Sequence, residues 1–190
     1  MKPRPHLFFT ILISFASLFG ISQTEAQIKS RKIKVVVSST TELKDGVAVS
    51  RLERETFDKK GNVLERKSFS NDSVCVSWKQ FEYDRKGNLI KESTLNPTTG
   101  VAKSIKQIEY NKFNDEVLVV LKNEKGAIEE ETETQYDSER RRILVVKRDG
   151  EKKTMTSTSF KYDNKGMLIS RITVNAKGDV IVEKAISYTY

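Results

Sequence analysis

Apolar and polar residues alternate in short runs along most of this chain. Phe81-Glu82-Tyr83, Ile108-Glu109-Tyr110, Phe160-Lys161-Tyr162 and Ile186-Ser187-Tyr188 each place two large apolar side chains two positions apart around a polar one. Residues two apart share one side of an extended strand, so the pattern predicts strands with one apolar and one wet face. The segments are short and rich in Val, Ile, Thr, Tyr and Phe, as strands are.

The runs recur. An aromatic residue followed by Asp or Asn stands at Phe57-Asp58, Tyr83-Asp84, Tyr110-Asn111, Tyr136-Asp137 and Tyr162-Asp163, at intervals of 26, 27, 26 and 26, and one further step of 26 reaches Tyr188. A fixed period of this size marks a repeat architecture. Phe57-Asp58-Lys59-Lys60-Gly61-Asn62-Val63-Leu64, Tyr83-Asp84-Arg85-Lys86-Gly87-Asn88-Leu89-Ile90 and Tyr162-Asp163-Asn164-Lys165-Gly166-Met167-Leu168-Ile169 show its mechanics. Each reads as strand, tight turn, strand: the Asp side chain bonds backbone N–H groups ahead of it, and Gly supplies the left-handed residue that closes a type I turn with a bulge.

A looser set of turn signals lies halfway between: Lys44-Asp45-Gly46, Asn71-Asp72-Ser73, Asn96 to Gly100, Glu124-Lys125-Gly126, Arg148-Asp149-Gly150 and Ala176-Lys177-Gly178-Asp179. The chain is therefore expected to be all-β, an antiparallel meander of about 12 strands built from hairpin repeats of about 26 residues. A flat sheet of that length would expose more apolar surface than soluble monomers tolerate, so a curved or coiled sheet is expected.

The middle copies depart from the pattern. Tyr110-Asn111-Lys112-Phe113-Asn114-Asp115 has no Gly at the turn, and Tyr136-Asp137-Ser138-Glu139-Arg140-Arg141-Arg142 replaces it with arginine. Asn114 enters the left-handed conformation readily; Arg140 does so at a cost. Arg140, Arg141 and Arg142 form the densest basic spot after residue 26, and are the candidate contact for a phosphate or carboxylate. Trp78, across its strand from Phe81 and Tyr83, is the candidate aromatic contact for a ligand.

Residues 1–26 change the compartment. Lys2 and Arg4 precede an apolar run from Leu7 to Ile21, and a short polar stretch ends at Ala26, the pattern of a cleavable signal peptide. The apolar run, about 15 residues, is shorter than the roughly 18 that a spanning helix needs, and nothing comparable follows it. The expected product is a single β-repeat domain over 27–190, exported to the periplasm or cell surface, with no transmembrane span. Lys2, Arg4 and Glu25 leave with the signal, so the net charge falls only from +8 to +7. In an exported protein a basic surface points to envelope polysaccharide or an envelope protein rather than to nucleic acid.

Candidate chemistry is sparse. The only histidine, His6, lies in the signal, which removes imidazole-based triads and His-ligated zinc. Cys75, the only cysteine, sits between Val74 and Val76 and reads as a small packed hydrophobe. The Asp-containing turns carry Lys or Arg where a calcium loop needs acids, and no phosphate-binding Gly loop or dinucleotide fingerprint is present. Glu129 to Glu131 alternate between two strand faces, so the alternative of a carboxylate-based glycoside hydrolase or other periplasmic enzyme lacks a convergent pair. No catalytic, cofactor or metal site is expected.

The copies at Phe57 and Tyr83 resemble the Tyr-Asp (YD) repeats of the Rhs family, whose core is Tyr-Asp, two variable residues, Gly, Asn or Arg, then Leu. The resemblance begins near residue 50, is good in three copies and weak in two. It implies a hairpin-repeat β architecture; long members of that family wind it into a shell around a toxin or use it in cell-surface contact and carbohydrate binding. This array is too short to enclose a cargo domain, and its repeat is longer than usual. MORN-like repeats, which also alternate aromatic and Gly-containing hairpins, are similar in outline. The expected function is an exported binding or structural module of a bacterial envelope, not an enzyme, contacting polysaccharide or an envelope protein.

Overall fold

The computed structural model describes residues 28–70 and 73–189. The expected signal at 1–26 with His6, and the Asn71-Asp72 part of one turn, lie outside the described residues. The rest is one antiparallel sheet of twelve strands in strict chain order. The strands are β1 (Val35–Lys44), β2 (Val47–Phe57), β3 (Val63–Phe69), β4 (Cys75–Tyr83), β5 (Leu89–Leu95), β6 (Ala102–Tyr110), β7 (Glu116–Asn123), β8 (Ile128–Tyr136), β9 (Arg142–Asp149), β10 (Thr154–Tyr162), β11 (Leu168–Asn175) and β12 (Val180–Ala185). A helical turn at 28–31 precedes β1. The meander expected from the repeat is thus the observed fold, an open sheet that does not close on itself.

The Tyr-Asp turns and three turns of the second set use one mechanism. The Asp84 carboxylate accepts from the N–H groups of Lys86 (2.8 Å) and Asn88 (2.9 Å), and Gly87 closes the turn at φ 94°. The same pair of bonds, two and four residues ahead, recurs at Asp58, Asn111, Asp137 and Asp163. It recurs again at Asn123, Asp149 and Asn175 at the opposite edge of the sheet. The turn closing β9 and β10 is initiated by Asp149 and puts Lys152, not Gly150, in the left-handed region. Gly150 is needed for space instead: a Cβ there would stand 2.1 Å from the Ile128 carbonyl oxygen. Arg140 does adopt the costly left-handed conformation, at φ 64°.

Each of these turns is followed by a register shift that leaves one residue unpaired, Leu64, Ile143 and Met155 among them, and the turn at 70–74 leaves Val76 unpaired in the same way. Such bulges bend the bulged strand and increase its twist, which curves a meander built from them. All four are exposed, as are Val47, Val49, Leu52 and Ile128 at paired positions of interior strands.

The core departs from the one-faced expectation. Each strand packs only against its neighbours in sequence, with no second layer among the described residues. Ile28, Phe57, Leu95 and Ile108 are the buried apolar side chains there. Leu95 is paired with Trp78, one side of the sheet; Ile108 shares the other side with Phe81 and Tyr83. The face opposite the Tyr-Asp aromatics is therefore not uniformly wet. The reason lies in parity: Trp78 and Phe81, or Ile105 and Ile108, are three apart and so face opposite ways within one strand. β7 is apolar on both sides, with Leu118 and Val120 on one and Val119 and Leu121 on the other.

Candidate functional site

The Tyr-Asp residues form a ladder along one edge of the sheet. The Tyr110 hydroxyl donates to the Leu89 carbonyl (2.9 Å), Tyr136 to Glu116 (2.9 Å), Tyr162 to Arg142 (2.9 Å) and Tyr188 to Leu168 (3.0 Å). Every acceptor is the first residue of the preceding strand, so each ring lies across the mouth of the hairpin before it. The motif's Tyr thus joins hairpins, while its Asp closes the turn. Burial pushes the Tyr136 hydroxyl pKa up, with the charges of Asp115 and Glu116 adding to it.

Turn tips are cross-linked from repeat to repeat. Lys60 Nζ donates to the Arg85 carbonyl (2.9 Å), and Lys86 Nζ to Asn114 Oδ1 (3.1 Å). Between the two turns lacking Gly the link is strongest. Arg140 donates through Nη2 to Asp115 Oδ1 at 2.6 Å, through Nε to both carboxylate oxygens, and through Nη2 to the Phe113 carbonyl at 3.0 Å. This guanidinium holds the Asp115 carboxyl below the usual carboxylate range.

The other two arginines of the cluster are engaged as well. Arg141 bonds Asp137 Oδ2 (2.7 Å), pairs with Glu139 (2.8 Å) and lies over the Tyr162 ring. Arg142 lies over the Phe160 ring, and its carbonyl accepts the Tyr162 hydroxyl. The three do not converge on one point: Arg140 reaches back to the preceding turn, Arg141 and Arg142 forward to β10. Trp78 lies elsewhere, towards the opposite edge. Its Nε1 donates to Glu65 (2.7 Å), the Lys67 ammonium sits 3.9 Å from the ring centroid, and a Cβ on Gly100 would meet the ring at 3.3 Å. The structure does not bring Trp78 and the arginines together. The acidic run is also paired, Glu130 with Lys147 and Glu131 with Arg148, on opposite faces.

What the arginine cluster does border is a groove between the turns at 111–115 and 137–141. It encloses about 660 Å³ and is lined by Phe113, Val117 and Tyr136, by Asn111, Thr134, Gln135 and Ser138, and by Arg140 with the carboxylates of Asp115 and Asp137. Phe113 is 52% exposed, an aromatic on a turn tip where Lys60, Lys86 and Lys165 stand in the regular copies. Lys112 and Arg140 approach its ring at 4.8 and 5.9 Å. The sequence reading passed over Phe113; its signal was an aromatic in a position that other repeats fill with charge. A second opening, about 590 Å³, lies at the start of the array, where Lys32, Lys34 and Lys59 surround Phe57 and Asp58. No cluster of metal-binding side chains occurs among the described residues.

In the crystal structure of TcdB2-TccC3-TEV, an Rhs/YD-repeat toxin complex, a matching segment superposes with a TM-score of 0.59 at 18% identity, covering 80% of this chain. The match spans only 8% of that much longer chain, and the likeness is one of fold. A porin-like protein from Bacteroides uniformis aligns at 15% identity over 72% of this chain and 69% of its own, with a TM-score of 0.45, too loose for inference. No family model and no curated protein matches the sequence.

Proposed function

We propose that the chain is an exported binding module of a bacterial envelope and that its Tyr-Asp edge contacts polysaccharide in the groove between the third and fourth repeat turns. The observation that carries this reading is the groove itself: an exposed Phe113 and half-buried Tyr136 beside amide and hydroxyl side chains of Asn111, Thr134, Gln135 and Ser138. Its volume falls in the range of small-ligand sites, which combine apolar walls with a few placed polar groups. Sugar rings present apolar C–H faces to aromatic side chains and hydroxyls to amides. Arg140 is already neutralised by Asp115, which favours a weakly charged ligand over phosphate. The signal-like segment at 1–26 supports export, and the fold-level likeness to a YD-repeat chain supports a repeat-type β module.

The test is calorimetric titration of the full chain with envelope polysaccharide fragments, beside the variant Phe113→Ser. Saturable binding that weakens at least about tenfold in the variant, and changes little between low and moderate salt, is expected. Equal affinity in the variant overturns the site. Steeply salt-dependent binding instead moves the contact to the lysines around Phe57.

A further inference from the structure

We infer that the two edges of the sheet are complementary and that a second copy of this chain adds edge to edge, β12 of one copy against β1 of the next. Among the described residues both strands are paired on one side only. An unpaired edge presents a row of free backbone N–H and C=O groups, and natural proteins blunt it with charge, proline or bulges. β1 begins Val35-Val36-Val37-Ser38-Ser39-Thr40-Thr41, seven residues with no charge, no proline and five β-branched side chains, and its pairing with β2 has no register shift.

Strand polarity fits a head-to-tail contact. With twelve strands alternating in direction, copies placed side by side in the same orientation bring β12 and β1 together antiparallel, the relation of every neighbouring pair inside the array. β12 ends, and β1 starts, at the Tyr-Asp edge, so Tyr188 comes beside Val35 and the ladder of aromatics continues across the junction. The two strands also share an apolar need. Val35, Val37, Leu43, Val180 and Val182 are exposed at ordinary ladder positions of the two edge strands, as are Val47, Val49 and Leu52 of the neighbouring β2. A neighbouring strand on the open side gives these edge side chains cross-strand partners. The new interface repeats the one already made eleven times within the chain.

The free donors are identifiable. Phe57 N–H donates to the Lys34 carbonyl, so even-numbered residues of β1 turn their backbone groups to β2 and odd-numbered ones, Ser39 among them, turn outward. Ile186 N–H donates to the Ile169 carbonyl, so Ala185 is likewise outward on β12. A heterologous contact of this kind builds an open filament or a closed ring.

The experiment measures molar mass by light scattering and sedimentation for the full chain, Ser39→Pro, Ala185→Pro and an equimolar mixture of the two variants, with circular dichroism as the folding control. Proline on an edge strand removes an outward donor and leaves the inner ladder intact; Ser39→Lys serves as a second block should Ser39→Pro not fold. The expected results are concentration-dependent assembly of the unmodified chain, monomers for each variant alone, and complexes of two copies in the mixture, because one variant retains β12 and the other β1. Three results overturn the inference: an unmodified chain that stays monomeric to hundreds of micromolar, a mixture that does not pair, or continued assembly of Ala185→Pro, which marks β1 against β1.

Discussion

The Tyr136 hydroxyl donates to the carbonyl of Glu116, 20 residues back, and so ties one hairpin to the mouth of the one before it. In a single-layer sheet this seam does work that a second layer does elsewhere. Tyr136→Phe removes the bond and leaves the carbonyl half-satisfied, and is expected to cost about 1 kcal/mol. Tyr136→Ala, which also removes the ring, is expected to cost about 2–3 kcal/mol, somewhat less than a fully buried aromatic. Urea unfolding of both variants checks the order; equal stability of Phe and Ala assigns the role to the hydroxyl alone.

Two glycines are needed for different reasons. Gly87 has open space around it but φ of 94°, so Gly87→Ala is strained by backbone conformation and is expected to cost about 1 kcal/mol. Gly150 is not left-handed, yet its added Cβ meets a backbone oxygen that cannot rotate away. Gly150→Ala is therefore expected to cost more, about 2–3 kcal/mol. A smaller loss at Gly150 than at Gly87 contradicts the close approach.

Arg140 combines a strained backbone with a paired side chain. Arg140→Gly relieves the left-handed strain and loses the Asp115 contact; Arg140→Ala keeps the strain and loses the contact too. The Ala variant is expected to be the least stable of the three proteins. Thermal midpoints rank them, and an Ala variant at least as stable as the Gly variant contradicts the account of the turn.

Acid should loosen the turns. In Asp58 and Asp84 burial raises the pKa, but hydrogen bonds from Asn62 and Asn88 and from neighbouring N–H groups outweigh it; at Asp137 the Arg141 N–H leads, and at Asp115 the Arg140 guanidinium. All four carboxyls titrate lower in the folded chain than in the unfolded one. The unfolded chain therefore binds protons first as pH falls. The stability these groups contribute is complete above the ordinary carboxylate pKa of about 3.9 and is lost as pH drops through their folded values. Melting followed from neutral pH to about pH 2.5 should show a decline beginning near pH 4. Asp84→Asn, which keeps an acceptor at the turn without a titrating group, should decline less steeply.

Much of the architecture was legible because the repeat carries its own punctuation: Tyr-Asp and Gly fixed the turns at 57–63, 83–89 and 162–168, and period-two alternation gave the strands between them. In the second turn set the runs Glu124-Lys125-Gly126 and Ala176 to Asp179 begin one residue after the initiating Asn123 and Asn175, and at Arg148-Asp149-Gly150 the Gly drew the eye from the initiating role of Asp149. Parity within a strand was the harder signal. Phe81 and Tyr83 announced one face, yet Trp78 three residues earlier commits the other, and only the register of β4 with β5 shows that Leu95 buries it there. Candidate residues chosen for charge or size alone could not reveal their partners. Arg140 is bound to Asp115 from 25 residues away, a contact set by the stacking of repeats. Phe113 became visible only when its turn was seen to form one wall of a groove.

The central claim, that the Tyr-Asp edge binds polysaccharide, is tested most directly by titrating the isotope-labelled chain with envelope polysaccharide fragments and following its backbone amide resonances. Saturable shifts confined to residues 111–117 and 134–140 are the predicted result. No saturable shift, or shifts centred on Trp78 or on the lysines around Phe57, would contradict the claim.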